Sequence, residues 1–164
     1  MTTTTNQTEI AVGTQTPSIT ITREFDAPRE LVFRAWTDAA LVPQWIGPRS
    51  VRTELTHWDC RRGGAWAYTA SRCDTDELLA TFYGSFHEVR EPERLVQTFT
   101  YEGAPDGVSL ETLVLQELPG GRTRSVMTSI VESFELRDQI LASGMEVGVI
   151  EGFEKLDDLI AGLG

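Results

Sequence analysis

The sequence predicts an α+β fold: a curved antiparallel sheet of about six to seven strands wrapped around a long C-terminal helix, with two short helices after the first strand. Three observations carry that expectation. A first alternating run is followed by two stretches with helical spacing. From Ser50 to Val131 the chain then alternates apolar and polar residues in runs separated by Gly- or Pro-bearing turns. The C-terminal segment repeats apolar residues every three or four positions, the period of an amphipathic helix.

Taken in order, residues 1–16 are rich in Thr, Gln and Asn and lack apolar periodicity, so they are read as a disordered tail ahead of a single domain over residues 17–164. Ser18 to Phe25 is a strand, with Ile19, Ile21 and Arg23 on one side. Asp26-Ala27-Pro28 is a helix start, because proline at an early helical position gives up an N–H that would be unpaired anyway. Leu31, Val32, Ala35 and Trp36 continue at helical spacing. A second short helix is expected from Asp38 to Trp45, ended by Gly47-Pro48.

Strands are then expected at Val51–Trp58, Ala65–Ala70, Leu78–Val89, Leu95–Tyr101, Leu110–Leu118 and Thr123–Val131. Short turns at Gly63-Gly64, Glu91-Pro92-Glu93 and Pro119-Gly120-Gly121 make successive strands antiparallel neighbours. Finally Leu141, Met145, Val149, Phe153, Leu156, Ile160 and Leu163 mark one helix of up to about 40 Å at 1.5 Å per residue. Its apolar stripe needs a concave partner, which a sheet with one buried face supplies.

Two patterns within this frame point beyond plain packing. Gly144, Gly148 and Gly152 recur every fourth residue of the expected helix, at a cost of roughly 2–3 kcal/mol relative to alanine. A close approach of the helix to its neighbours, room for a ligand or a local bend offsets that cost. Alternation also turns Trp66, Tyr68, Phe82, Phe86, Phe99, Tyr101 and Phe153 inward. Tyr and Trp need polar partners when buried, and Gln97 lies on the same face. An aromatic-lined cavity between sheet and helix is therefore expected.

Composition bounds the function. The chain has 164 residues, 40% hydrophobic and 24% charged, as expected of an ordinary globular protein. Its formal net charge is −11, and residues 132–164 hold eight acids against two bases. Such a chain repels phosphate backbones, so neither nucleic acid nor an anionic membrane is an expected partner. No apolar run approaches a membrane span. The N-terminus lacks the basic start and apolar stretch of a secretory signal, which predicts a soluble, cytoplasmic protein. Cys60 and Cys73 are then free thiols. His57 and His87 have no metal-ligand spacing with them or with carboxylates, so neither metal nor cofactor is expected. GxSxG, HExxH, P-loop and GxGxxG signatures are absent, and no catalytic residue is assigned.

Several segments, in order, also resemble the SRPBCC (START-like) superfamily, whose fold is the helix-grip. More narrowly, they resemble its branch of activator of heat-shock protein 90 ATPase homologues. They are Ile21-Thr22-Arg23-Glu24-Phe25-Asp26-Ala27-Pro28, Val32-Phe33-Arg34-Ala35-Trp36-Thr37-Asp38 and Trp45-Ile46-Gly47-Pro48. Asp59-Cys60-Arg61-Arg62-Gly63-Gly64-Ala65-Trp66 follows, then Pro92-Glu93-Arg94-Leu95-Val96, Gly121-Arg122-Thr123 and Gly144-Met145-Glu146-Val147-Gly148. The resemblance implies binding of a lipid, polyketide-like or flavonoid-like molecule. By strand alternation the cavity would add Met127, Met145 and Val149 to the seven inward aromatics, with Trp45 near its mouth. It leaves two alternatives: a cyclase or hydrolase of polyketide-like substrates, and a chaperone-interacting module. The chaperone activator uses a further N-terminal domain, and only about sixteen residues precede the expected fold here, which sets that partner last. Nothing in the sequence specifies or excludes a homodimer.

Overall fold

The structure is a computed structural model and describes residues 6–164. Its elements run β1 (Glu9–Val12), β2 (Ser18–Phe25), α1 (Arg29–Thr37), a 3-10 turn (Val42–Gln44), β3 (Val51–Trp58), β4 (Ala65–Arg72), β5 (Leu78–Arg90), β6 (Arg94–Tyr101), β7 (Val108–Leu118), β8 (Arg122–Ile130), α2 (Phe134–Ala142) and α3 (Met145–Leu163). Among the described residues the eight strands form one sheet, in the order β1-β2-β8-β7-β6-β5-β4-β3. Every neighbouring pair is antiparallel. This is the helix-grip architecture: β3 to β8 form the meander, and β2 closes against β8. Register shifts at Leu55/His57, Ala70/Ser71 and Phe86/Glu88 interrupt the ladders. Such bulges bend a strand and increase its twist, which favours a concave face.

The expected disordered tail is corrected in part. Residues 1–5 lie outside the described residues. Glu9–Val12, however, pair along β2 from Glu9↔Thr22 to Val12↔Ile19. Ile10 packs against the core. The hairpin is pinned by the buried Arg137 of α2, which donates to the Gly13 carbonyl at 2.8 Å and the Ser18 carbonyl at 3.1 Å. A four-residue edge strand inside a Thr-rich segment carries almost no periodicity of its own, and a distant arginine supplies what fixes it.

The single long helix is the second correction. The chain bends at Ser143-Gly144, where Gly144 takes φ 85°, a conformation open chiefly to glycine. The helix beyond it has 19 residues, roughly 28 Å at 1.5 Å per residue. Gly144 is therefore a break between two helices. A Cβ on Gly148 would meet Pro48 Cδ at 3.4 Å, and one on Gly152 would meet the Trp45 carbonyl at 3.0 Å. The stripe thus serves a close approach of α3 to the turn that follows α1.

At that junction lies a closed aromatic core. Phe153 packs on Phe25 (5.5 Å, edge-on), Trp36 (5.9 Å) and Trp45 (6.2 Å, stacked). The indoles of Trp45 and Trp58 donate to the Ala35 and Thr37 carbonyls at 2.9 and 2.8 Å. These belong to the last turn of α1, where the helix offers its carbonyls no intrahelical donor. Further along α3, Asp157 receives a bidentate pair from Arg23 of β2 at 2.7 and 2.6 Å. The Arg23 guanidinium is buried and lies over the Phe25 ring at 4.9 Å.

Candidate functional site: a polar row on the concave face

Strand register builds the site. On the face turned toward α3, β5 through β2 align Phe86, Gln97, Glu111, Ser129 and Ile19 as cross-strand partners. On one side of that row stand Leu95, Leu113, Met127 and Ile21. On the other stand Phe99 and Ser109, with Phe82 opposite Tyr101 and Tyr68 opposite Phe82. A carboxyl and its two partners thus sit in an otherwise apolar and aromatic surface.

Glu111 is held on both oxygens. Gln97 Nε2 donates to Oε1 at 3.1 Å, and Ser129 Oγ to Oε2 at 3.1 Å. Burial pushes its acid group up from the usual carboxylate range, against the opposing pull of those two hydrogen bonds. Burial, and then the neighbouring Glu111 carboxyl, raise the Tyr68 phenol. Glu111 is deep among protein atoms yet keeps accessible surface, as do Gln97, Phe82, Phe99, Met127 and Ser129. These inward side chains are half-buried, unlike their fully buried neighbours Phe86, Leu95 and Leu113.

The aromatics are contiguous. Trp66 stacks on Tyr68 (5.5 Å) and packs on Phe99 (5.6 Å). Phe82 meets Tyr68 (5.2 Å), Phe99 (5.2 Å) and Tyr101 (5.6 Å). Gly84 makes room for this layer: a Cβ there would meet Trp66 at 2.8 Å and would collide with the Thr98 carbonyl. Trp66 is 2% exposed, and its Nε1–H has no partner among the described residues. A buried indole donor left without an acceptor carries a desolvation cost.

The eleven residues read from the sequence therefore divide. Trp66, Tyr68, Phe82 and Phe99 form the aromatic wall, and Tyr101, 44% exposed, stands at its rim. Met127, Met145 and Val149 are partly buried against the core. Trp45, Phe86 and Phe153 are packing residues. Trp45 is buried with its indole spent on Ala35, not at a mouth. Phe86 is 1% exposed and edge-on to Trp58 at 5.3 Å, and Phe153 belongs to the closed core. Gln97 was legible on the inner face, whereas Glu111 and Ser129 were not singled out. The signal was the β7 alternation Ser109, Glu111, Leu113, Leu115, which puts a carboxyl in step with two leucines. Two hollows lie elsewhere. One of about 310 Å³ lies between Ala104–Gly107 and the start of α2, and one of about 340 Å³ is lined by Ser50, Arg72, Cys73, Asp74 and Leu79.

Among the described residues there is no cluster of His, Cys, Asp and Glu that could hold a metal ion, and no helix long and apolar enough to cross a membrane. Cys60 and Cys73 are free.

The family model described as "Activator of Hsp90 ATPase homolog 1-like protein" matches residues 26–161. Solved structures agree with the fold. A crystal structure of a Rhodobacter sphaeroides protein is 26% identical, with a TM-score of 0.84 over 96% of this chain and 100% of that one. A solution structure of an Arthrobacter aurescens protein is 26% identical, with a TM-score of 0.84 over 94% of this chain and 91% of that one. CalU16 from Micromonospora echinospora, 24% identical with a TM-score of 0.58 over 88% of this chain and 81% of that one, shares the fold. No curated protein matches the sequence.

Proposed function

Because the chain belongs to the family of Activator of Hsp90 ATPase homolog 1-like proteins, we propose that it binds a hydrophobic or amphipathic small molecule, lipid-like, polyketide-like or flavonoid-like, between the sheet and α3. One observation carries the reading: the Gln97–Glu111–Ser129 row is recessed yet accessible beside the Phe82–Phe99–Tyr68–Trp66 wall. A core filled by its own side chains has no use for a buried carboxyl, which costs stability unless something exploits it. Binding pockets combine such an apolar lining with a few placed polar groups. The acidic surface fits a cytoplasmic protein that avoids nucleic acid and anionic membranes.

A second reading is supported by the same pair. A carboxyl whose acidity burial has weakened, on the same face of the sheet as a buried tyrosine, is also a candidate for proton transfer. A cyclase or hydrolase of polyketide-like substrates would use it.

A thermal-shift screen against fatty alcohols, flavonoids, sterols and polycyclic aromatics tests the first reading. A ligand at about one hundred times its dissociation constant adds about 2.7 kcal/mol, worth roughly 5–10 °C for a chain of this size. A dose-dependent rise confined to one chemical class is expected. No rise with any class would contradict the proposal.

A further inference from the structure

α1 and α3 pack on the concave face of the sheet, and its outer face stays open. There Leu110 and Ile130 are cross-strand partners, 46% and 44% exposed, and Val108 continues their line along β7. The strands beneath them are regular. β6, β7, β8 and β2 pair without a register shift, whereas the bulges that bend the sheet all involve β3, β4 or β5.

The charge of this face is as unusual as its apolar side chains. The outward side of an antiparallel sheet is commonly its solvated, polar side, and 24% of this chain is charged. Yet the outward positions of these four strands are Thr, Ser, Val, Leu or Ile until Arg94, Arg124 and Glu24 close one end. In a chain of net charge −11, a face without carboxyls is where a second, equally acidic copy approaches at least electrostatic cost. Four strands about 4.8 Å apart, each with four outward residues about 6.8 Å apart, cover about 500 Å² per copy. A stable pair buries about 800 Å² per partner, so the charged border must take part.

That border selects the arrangement. At the end away from Arg94 and Arg124 stand Glu102, Asp106 and Glu132, all exposed. A twofold axis along the strands would lay these carboxyls against their own copies. A twofold axis across the strands reverses one sheet on the other. Centred on the Thr112–Thr128 pair, this reversal sets Leu110 and Ile130 over Val114 and Val126 of the second copy, and Glu132 over its Arg124.

We infer that the chain forms a homodimer through the outer faces of β6, β7, β8 and β2, two sheets stacked about 10 Å apart with their strands reversed. The concave face stays free, so the dimer stands or falls separately from the ligand-binding reading.

Sedimentation equilibrium of the full chain, from about 1 µM to about 500 µM, tests it. The mass is expected to rise with concentration from that of one chain, 18.2 kDa, towards that of two. Leu110→Glu should raise the dissociation constant about tenfold or more, because it buries an unpaired carboxyl. Ile130→Thr, a milder change that suits a strand, should raise it about threefold or more and keeps the test alive if Leu110→Glu does not fold. Val147→Glu adds the same charge at a 56% exposed position of α3 and should leave association unchanged. Arg124→Glu and Glu132→Arg should each weaken the dimer, and the two together should restore it, because the exchanged charges again face each other across the axis.

A single-chain mass at every concentration would overturn the inference. So would a dimer untouched by both Leu110→Glu and Ile130→Thr, or one weakened as much by Val147→Glu. A double variant no tighter than Arg124→Glu alone would overturn the reversed arrangement.

Discussion

At the scale of single residues, Glu111 sets the chemistry. Its folded-state acidity is weakened by burial, while a free glutamate in the unfolded chain titrates near about 4.3. Between those two values the folded protein holds a proton that the unfolded chain has lost. Linkage then makes this group's contribution to stability fall as pH rises from the unfolded value through the raised folded value. Glu111→Gln removes the titration. Its stability relative to the unaltered protein should therefore increase from acid to neutral pH, measured by urea unfolding at several pH values. Glu24, Asp26 and Glu88 run the other way: arginine partners hold their carboxyls below the usual range. They are common to both proteins and cancel in the difference. A difference that stayed flat with pH would mean that Glu111 is not the recessed acid described here.

At the scale of elements, α3 shows how two glycines of the same sequence pattern come to differ. Replacing a helical glycine by alanine gains about 0.8–1.0 kcal/mol of propensity where space allows. At Gly148 the added carbon would reach Pro48 at 3.4 Å, an ordinary contact. At Gly152 it would press on the Trp45 carbonyl at 3.0 Å, with Gly47 just behind. Backbone does not swing aside as a flexible side chain does, and overpacking of this kind costs about 1–3 kcal/mol. Thermal unfolding should therefore show Gly148→Ala more stable than the parent and Gly152→Ala less stable. Equal effects would contradict the close approach of α3 to the turn around Gly47. The sequence showed the four-residue repeat and offered close approach as one explanation. It could not show that Gly144 lies outside the helix, because a left-handed glycine and a helical glycine are written with the same letter.

At the scale of the whole molecule, strand periodicity and turn residues were enough to order the meander from β3 to β8. Strand β2 and α1 were equally legible, and the helix expected over Asp38–Trp45 is present only as the 3-10 turn Val42–Gln44, where Gly47 and Pro48 mark local backbone constraints. The eighth strand was not, since β1 depends on Arg137 more than a hundred positions away. The same division holds for the site. Alternation identified which aromatics face inward. It could not separate a closed cluster around Phe153 from an accessible wall around Phe82 and Phe99, because both use the same residue types. What separates them is the path of α3. The Gly148 and Gly152 approach holds the helix against the turn around Gly47, and the Arg23–Asp157 pair ties it to β2, while the polar row stays half-buried.

The central claim is that this accessible part, and not the closed cluster, receives a ligand. Its most direct test is the set of tryptophan indole N–H resonances, followed by two-dimensional nitrogen–proton NMR as the compound giving the largest rise in the thermal-shift screen is added. Trp45 and Trp58 serve as internal references, since their indoles are already bonded to Ala35 and Thr37. The account predicts a saturating shift of the Trp66 indole, accompanied by the amides of Gln97, Phe99 and Glu111, with Trp45 and Trp58 unmoved. Binding that shifts Trp45 while leaving Trp66 in place would contradict it.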